Sequence, residues 1–142
     1  MTAPRIHIVT LGVSDLARAR RFYEAQGWKA SSASNENIVF LKGGGGVLAL
    51  YGRAALAEDA HVDDQPTGFA ATTLARNARS KAEVDAWFAA AVAAGARTLK
   101  SPQEVFWGGY SCYVADPDGH LWEFAFNPYI VFDENGNLAL PD

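Results

Sequence analysis

The chain repeats itself: a strand, a helix and three more strands occur twice in the same order, and the two helix starts, at Ser14 and Ser80, lie 66 residues apart (80 − 14). A duplicated supersecondary unit leaves a sheet face on each copy to be covered, and the usual outcome is paired sheets around a shared concavity. The pattern predicts an α+β fold of two βαβββ modules. Module one covers about residues 5–53, a connector 54–68, module two about 69–128, and a tail 129–142, all within one domain.

In the first module, Arg5 to Val13 (RIHIVTLGV) is β-branched and apolar and reads as a buried strand. Ser14 is a good N-cap, Leu16, Ala19, Phe22 and Tyr23 recur at helical spacing, and Gly27 supplies the stop. Lys29 to Ser34, Ile38 to Lys42 and Val47 to Tyr51 are three short strands divided by Asn35-Glu36-Asn37 and by Gly43 to Gly46. The connector is acidic and contains Pro66 and Gly68, so its periodicity breaks and a linking segment is expected.

The second module starts with a strand over Phe69 to Leu74. Ser80 and Glu83 form a capping box for a helix whose apolar stripe is Val84, Trp87, Phe88 and Val92 and whose stop is Gly95. Strands follow at Arg97 to Lys100, Tyr110 to Ala115 and His120 to Phe126. The last two flank Asp116-Pro117-Asp118-Gly119, a hairpin turn in which Pro presets φ and Gly accepts a left-handed backbone. The final strand alternates, with Trp122, Phe124 and Phe126 on one face and Leu121, Glu123 and Ala125 on the other. A carboxylate at Glu123 in mid-strand belongs in a cavity or on a wet face.

Charge and cysteine usage narrow the function classes. A net charge of -4 lacks the basic patch that a nucleic-acid backbone demands, so no nucleic acid is expected as a partner. A single cysteine, Cys112, leaves no intramolecular disulfide and fits a reducing cytoplasm. No apolar run approaches about 18 residues, and no membrane partner is expected. The run Gly43 to Gly46 lacks the following Lys-Ser/Thr and helix of a phosphate loop. Cys112 reads as a small buried residue, His120 as a turn-flanking histidine and His61 as a surface one.

Three segments, VTLGVSDLARARRFYEAQGW at 9–28, EVDAWFAAAVAAGA at 83–96 and WGGYSCYVADPDGHLWEFAFNP at 107–128, resemble the vicinal oxygen chelate superfamily of glyoxalases, extradiol dioxygenases and bleomycin-resistance proteins. The resemblance implies modules whose sheets curve into a cup-shaped mixed sheet, completed in a homodimer. It also implies, for metal-dependent members, a divalent cation held by four ligands on four strands. Those positions are expected at Ile8, Leu48, Phe69 and Glu123. Three apolar side chains donate nothing to a metal, so no metal site and no cofactor are expected.

An apolar hollow suits a hydrophobic or aromatic small molecule. The expected ligand-binding residues are Ile8, Phe40, Leu48, Leu50, Phe69, Trp107, Tyr110 and Glu123, with Trp107-Gly108-Gly109-Tyr110 as a hinged aromatic rim. The function expected is a metal-free binding protein that sequesters a natural product, as the resistance members do. The alternative is a glyoxalase- or dioxygenase-like enzyme, or a cofactor-free isomerase or cyclase with Glu123 as general base.

Overall fold

The computed structural model describes residues 3–65 and 68–142 and divides into two compact units, Met1–Pro66 and Thr67–Asp142. Pro66, one of the two residues that break the connector, lies outside the described residues.

The first unit contains β1 (Ile8–Val13), α1 (Leu16–Glu24), β2 (Lys29–Ala30), β3 (Ile38–Lys42), β4 (Val47–Gly52) and α2 (Arg53–Asp59). Its sheet runs β1-β4-β3-β2, with β1 parallel to β4 and the other pairs antiparallel. The N-cap of α1 is Asp15, one residue past the expected Ser14. Its carboxylate accepts the Arg18 amide at 3.0 Å, while the Ser14 hydroxyl accepts from the Arg18 guanidinium at 2.9 Å. Helix α2 falls in the segment expected to be a linker. It has no buried residue, so no apolar stripe announced it.

Register decides which face of this sheet is which, because paired residues project to the same side. Val9, Leu11 and Val13 share a face with Leu48 and Leu50 of β4 and with Leu41 and Val39 of β3. Six of these seven are buried, and α1 contributes Ala19, Phe22 and Tyr23 to the same core. The opposite face carries Ile8, Thr10 and Gly12, then Ala49 and Tyr51, then Ile38 and Phe40. At its Gly12 end this face meets α2: a Cβ on Gly12 would stand 3.3 Å from the Arg53 Cα and 3.4 Å from the Leu56 side chain.

The second unit contains β5 (Thr73–Ala78), α3 (Lys81–Ala93), β6 (Arg97–Glu104), β7 (Tyr110–Ala115) and β8 (Leu121–Phe126), in the sheet order β5-β8-β7-β6. The order of parallel and antiparallel pairs repeats that of the first sheet. The capping box forms, with the Ser80 hydroxyl accepting the Glu83 amide at 3.1 Å and the Glu83 carboxylate reaching the Arg79 amide at 3.0 Å. The expected hairpin forms too: Asp116, itself buried, accepts the Asp118 and His120 amides at 2.9 and 2.8 Å, and Gly119 has φ +88°.

The strand expected at Phe69 to Leu74 begins instead at Thr73 and runs to Ala78. Ala71 has φ +57°, a left-handed conformation that cannot belong to an extended strand, so pairing starts beyond it. The tail carries a small hairpin in which Phe132 bridges Leu138 around Asp133 to Gly136. Arg79 stacks over the Phe132 ring at 4.4 Å and ties it to the unit.

Candidate functional site

The second sheet has one face under α3 and one face free of it. Trp87 of α3 meets Phe124 edge-on at 6.0 Å, the Arg76 guanidinium lies 3.9 Å above the Trp87 ring, and the Asp85 carboxylate accepts the Tyr110 hydroxyl at 2.7 Å. Arg76, Tyr110, Cys112, Val114, Trp122 and Phe124 are therefore on the helix side. Burial holds the Arg76 pKa below its usual range, against the opposing pull of Glu83. Cys112 is fully buried there, and burial pushes its thiol up to about 11.

Glu123 points the other way, as the alternation of β8 requires. Its neighbour across β7 is Tyr113, and the neighbour of Tyr113 across β6 is Lys100; on the other side Glu123 pairs with Ala75 of β5. Lys100, Tyr113, Glu123 and Ala75 thus make one row across the sheet, on the face that also bears Thr73, Ser111 and Leu121. Burial, and then the neighbouring Glu123 charge, hold the Tyr113 phenol above its ordinary pKa. The Glu123 carboxylate beside this phenol has acceptor capacity for a ligand's donor, and a carboxylate can accept a proton from one.

Several expected ligand contacts stand elsewhere. Leu48 and Leu50 belong to the helix-covered core of the first unit, because they pair with Val9 and Leu11 rather than with Thr10. The residue on the opposite face of β4 is Ala49, fully buried between Thr10 and Phe40. Phe69 precedes its strand and is 73% exposed. Tyr110 is held by Asp85 on the helix side, not at a rim. Trp107 folds back on its own turn, where a Cβ at Gly109 would come within 2.4 Å of the ring. Ile8 and Phe40 do occupy the face of their sheet away from α1. Tyr113 and Lys100 were missed. The alternation of β7 and the β6–β7 pairing were the signals for them, and two bulges in β6 hid the second.

The donor positions that the resemblance implies can be placed within each unit by register. Ile8 and Thr73 each lie seven residues before their N-caps (15 − 8 and 80 − 73). Ala49 pairs with Thr10 as Glu123 pairs with Ala75. The four positions are thus Ile8 and Ala49 in the first unit and Thr73 and Glu123 in the second. Ile8 and Ala49 offer no donor; Thr73 and Glu123 offer one neutral hydroxyl and one carboxylate. That donor set does not fit a zinc, nickel or iron centre. Among the described residues no three His, Cys, Asp or Glu side chains gather at one place.

The family profile described as Glyoxalase/Bleomycin resistance protein/Dioxygenase superfamily matches residues 5–124. A crystal structure of a glyoxalase-related enzyme from Fulvimarina pelagi is 36% identical, with a TM-score of 0.86 over 99% of this chain and 100% of that one. Lactoylglutathione lyase from Agrobacterium tumefaciens is 26% identical, with a TM-score of 0.65 over 89% of this chain and 96% of that one. A glyoxalase/bleomycin resistance protein from Albidiferax ferrireducens T118 is 25% identical, with a TM-score of 0.66 over 87% and 98%. No curated protein matches.

Proposed function

The chain belongs to the glyoxalase/bleomycin resistance protein/dioxygenase superfamily, and from that starting point we propose that it binds a small organic molecule without a resident metal, using Glu123 as the polar anchor. One observation carries the reading: of the four donor positions only Glu123 is ionic, and it stands beside a tyrosine rather than beside other metal ligands. The Tyr113 ring, Leu121 and Ala125 on the same face supply apolar surface for the body of the ligand. Glu123 accepts a hydrogen bond from the ligand's N–H or O–H.

Calorimetric titration with aromatic natural products tests this. At least one should bind with a dissociation constant below roughly 10 μM, and Glu123→Gln should weaken it about tenfold. Stoichiometric zinc, nickel or iron in the purified protein would overturn the reading. Sequestration, cytoplasmic location and self-association as a homodimer belong to the same proposal. Strands β1, β2, β5 and β6 each form an outer edge of their sheet, and such edges favour association.

A second reading, a metal-free enzyme with Glu123 as general base, is supported by the place of Glu123 beside Tyr113 in mid-strand and by the description of the Fulvimarina pelagi relative as an enzyme. Under it, Glu123→Gln abolishes turnover and leaves binding nearly intact. Under sequestration the same change acts on affinity alone.

A further inference from the structure

Register places Lys100, Tyr113 and Glu123 on three adjacent strands of one sheet face. Adjacent strands lie about 4.8 Å apart, so the cation and the carboxylate stand on backbones about 10 Å apart with a phenol ring between them. All three residues are half-buried. The other lysine and acid of this neighbourhood are already matched: Lys81 bonds Glu104 at 2.7 and 2.9 Å on the helix side. Lys100 makes no ion pair or hydrogen bond with any described residue. Ala75, the row's other neighbour of Glu123, has only a methyl group and leaves that flank of the carboxylate open. A half-buried lysine with no partner among the described residues, two strands from a half-buried glutamate with a tyrosine between them, is a pair of poles set for a ligand that carries both charges.

We propose that this row selects a small amphoteric molecule: an organic acid whose carboxylate meets the Lys100 ammonium, whose planar body lies on the Tyr113 ring, and whose far end gives an ammonium or other donor to Glu123. The inference rests on the proposed role of Glu123 and adds Lys100 as the residue that determines ligand class. It accounts for a lysine in mid-strand beside an aromatic ring, and it narrows the ligand from any aromatic compound to one bearing charge at both ends.

Three probes separate the contributions: 4-(aminomethyl)benzoate has both ends, benzylamine lacks the acid, and benzoate lacks the amine. Titration followed by NMR should show 4-(aminomethyl)benzoate binding about three- to tenfold more tightly than benzylamine, the range for a partly exposed ion pair. Rising ionic strength should shrink that preference. Lys100→Met keeps the stem without the charge; it should abolish the preference and leave benzylamine affinity unchanged, while Lys100→Arg should retain the preference. An unchanged ratio in Lys100→Met, or no preference in the native protein, overturns the inference and leaves the role of Glu123 standing. If Glu123→Gln leaves benzylamine affinity unaltered, or if neither amine binds at about 10 mM, the role of Glu123 falls and the inference with it.

Discussion

Replacing Leu50 by alanine tests the facing of the first sheet. Leu50 has no exposed surface, and its cross-strand neighbours Leu11 and Val39 are buried as well. Truncation removes three carbons, roughly 2.4 kcal/mol at about 0.8 kcal/mol per buried methylene equivalent. The cavity left among close-packed neighbours adds to that, and large-to-small changes at such sites cost about 2–5 kcal/mol in total. A loss of about 3–4 kcal/mol is therefore expected for Leu50→Ala. Ile8, on the opposite face and 50% exposed, should lose about 1 kcal/mol or less on the same truncation. Urea unfolding of both variants, followed by Trp28 fluorescence after the tryptophans of the second unit have been replaced by phenylalanine, measures the two losses in one background. Trp28 suits this purpose because it packs on Tyr23 of the same core at 6.5 Å. If Leu50→Ala cost less than Ile8→Ala, the leucine would be lining an open surface, and the assignment of faces from register would be refuted.

The second unit yields three shorter tests. Ser80→Ala removes the hydroxyl that accepts the Glu83 amide and should cost about 1 kcal/mol in thermal or urea unfolding, with Ser80→Asp restoring most of it. The Cys112 thiol is raised in the fold from 9.0 to about 11, so the folded state holds its proton more tightly than the unfolded chain does. That stability is fully present below about pH 9 and is lost as pH climbs toward 11. The melting temperature should therefore fall more steeply over this window than it does in Cys112→Ala. Parallel slopes would show that the thiol is not shielded. Gly109→Ala would bring a Cβ within 2.4 Å of the Trp107 ring and 2.8 Å of Val105. It should expel Trp107 from its turn, red-shift its emission and cost about 1–3 kcal/mol; an unchanged spectrum would contradict the packing.

The fold was legible because its punctuation is local. Gly27 and Gly95 end two helices with φ of +97° and +114°, and the Ser80–Glu83 box starts one, so each element carried its own boundary. Where the boundary depended on something less local, the reading slipped. Nothing in Phe69-Ala70-Ala71-Thr72 advertises a left-handed alanine, and β-branched and aromatic neighbours argued for a strand that begins four residues later. Helix α2 was invisible for a related reason: it buries no residue, and periodicity reports only elements that must hide a face.

The site was harder to read than the fold because a strand's meaning depends on parity. Leu48 and Ala49 are adjacent and both buried, so neither hydrophobicity nor burial says which one faces the helix. Only pairing to Leu41 and Val9 in one case, and to Phe40 and Thr10 in the other, decides it. Choosing the leucine made the expected hollow look oilier than the sheet allows. On the second sheet the same parity works in the opposite direction: the face away from α3 carries Lys100, Ser111, Tyr113 and Glu123, while the aromatics of β8 lie under the helix. Loss of metal donors therefore does not by itself make a face apolar. The one carboxylate among the four positions sits in a row of polar neighbours, and under the reading proposed above the charge of that row, more than the hydrophobicity of the strands around it, selects the ligand.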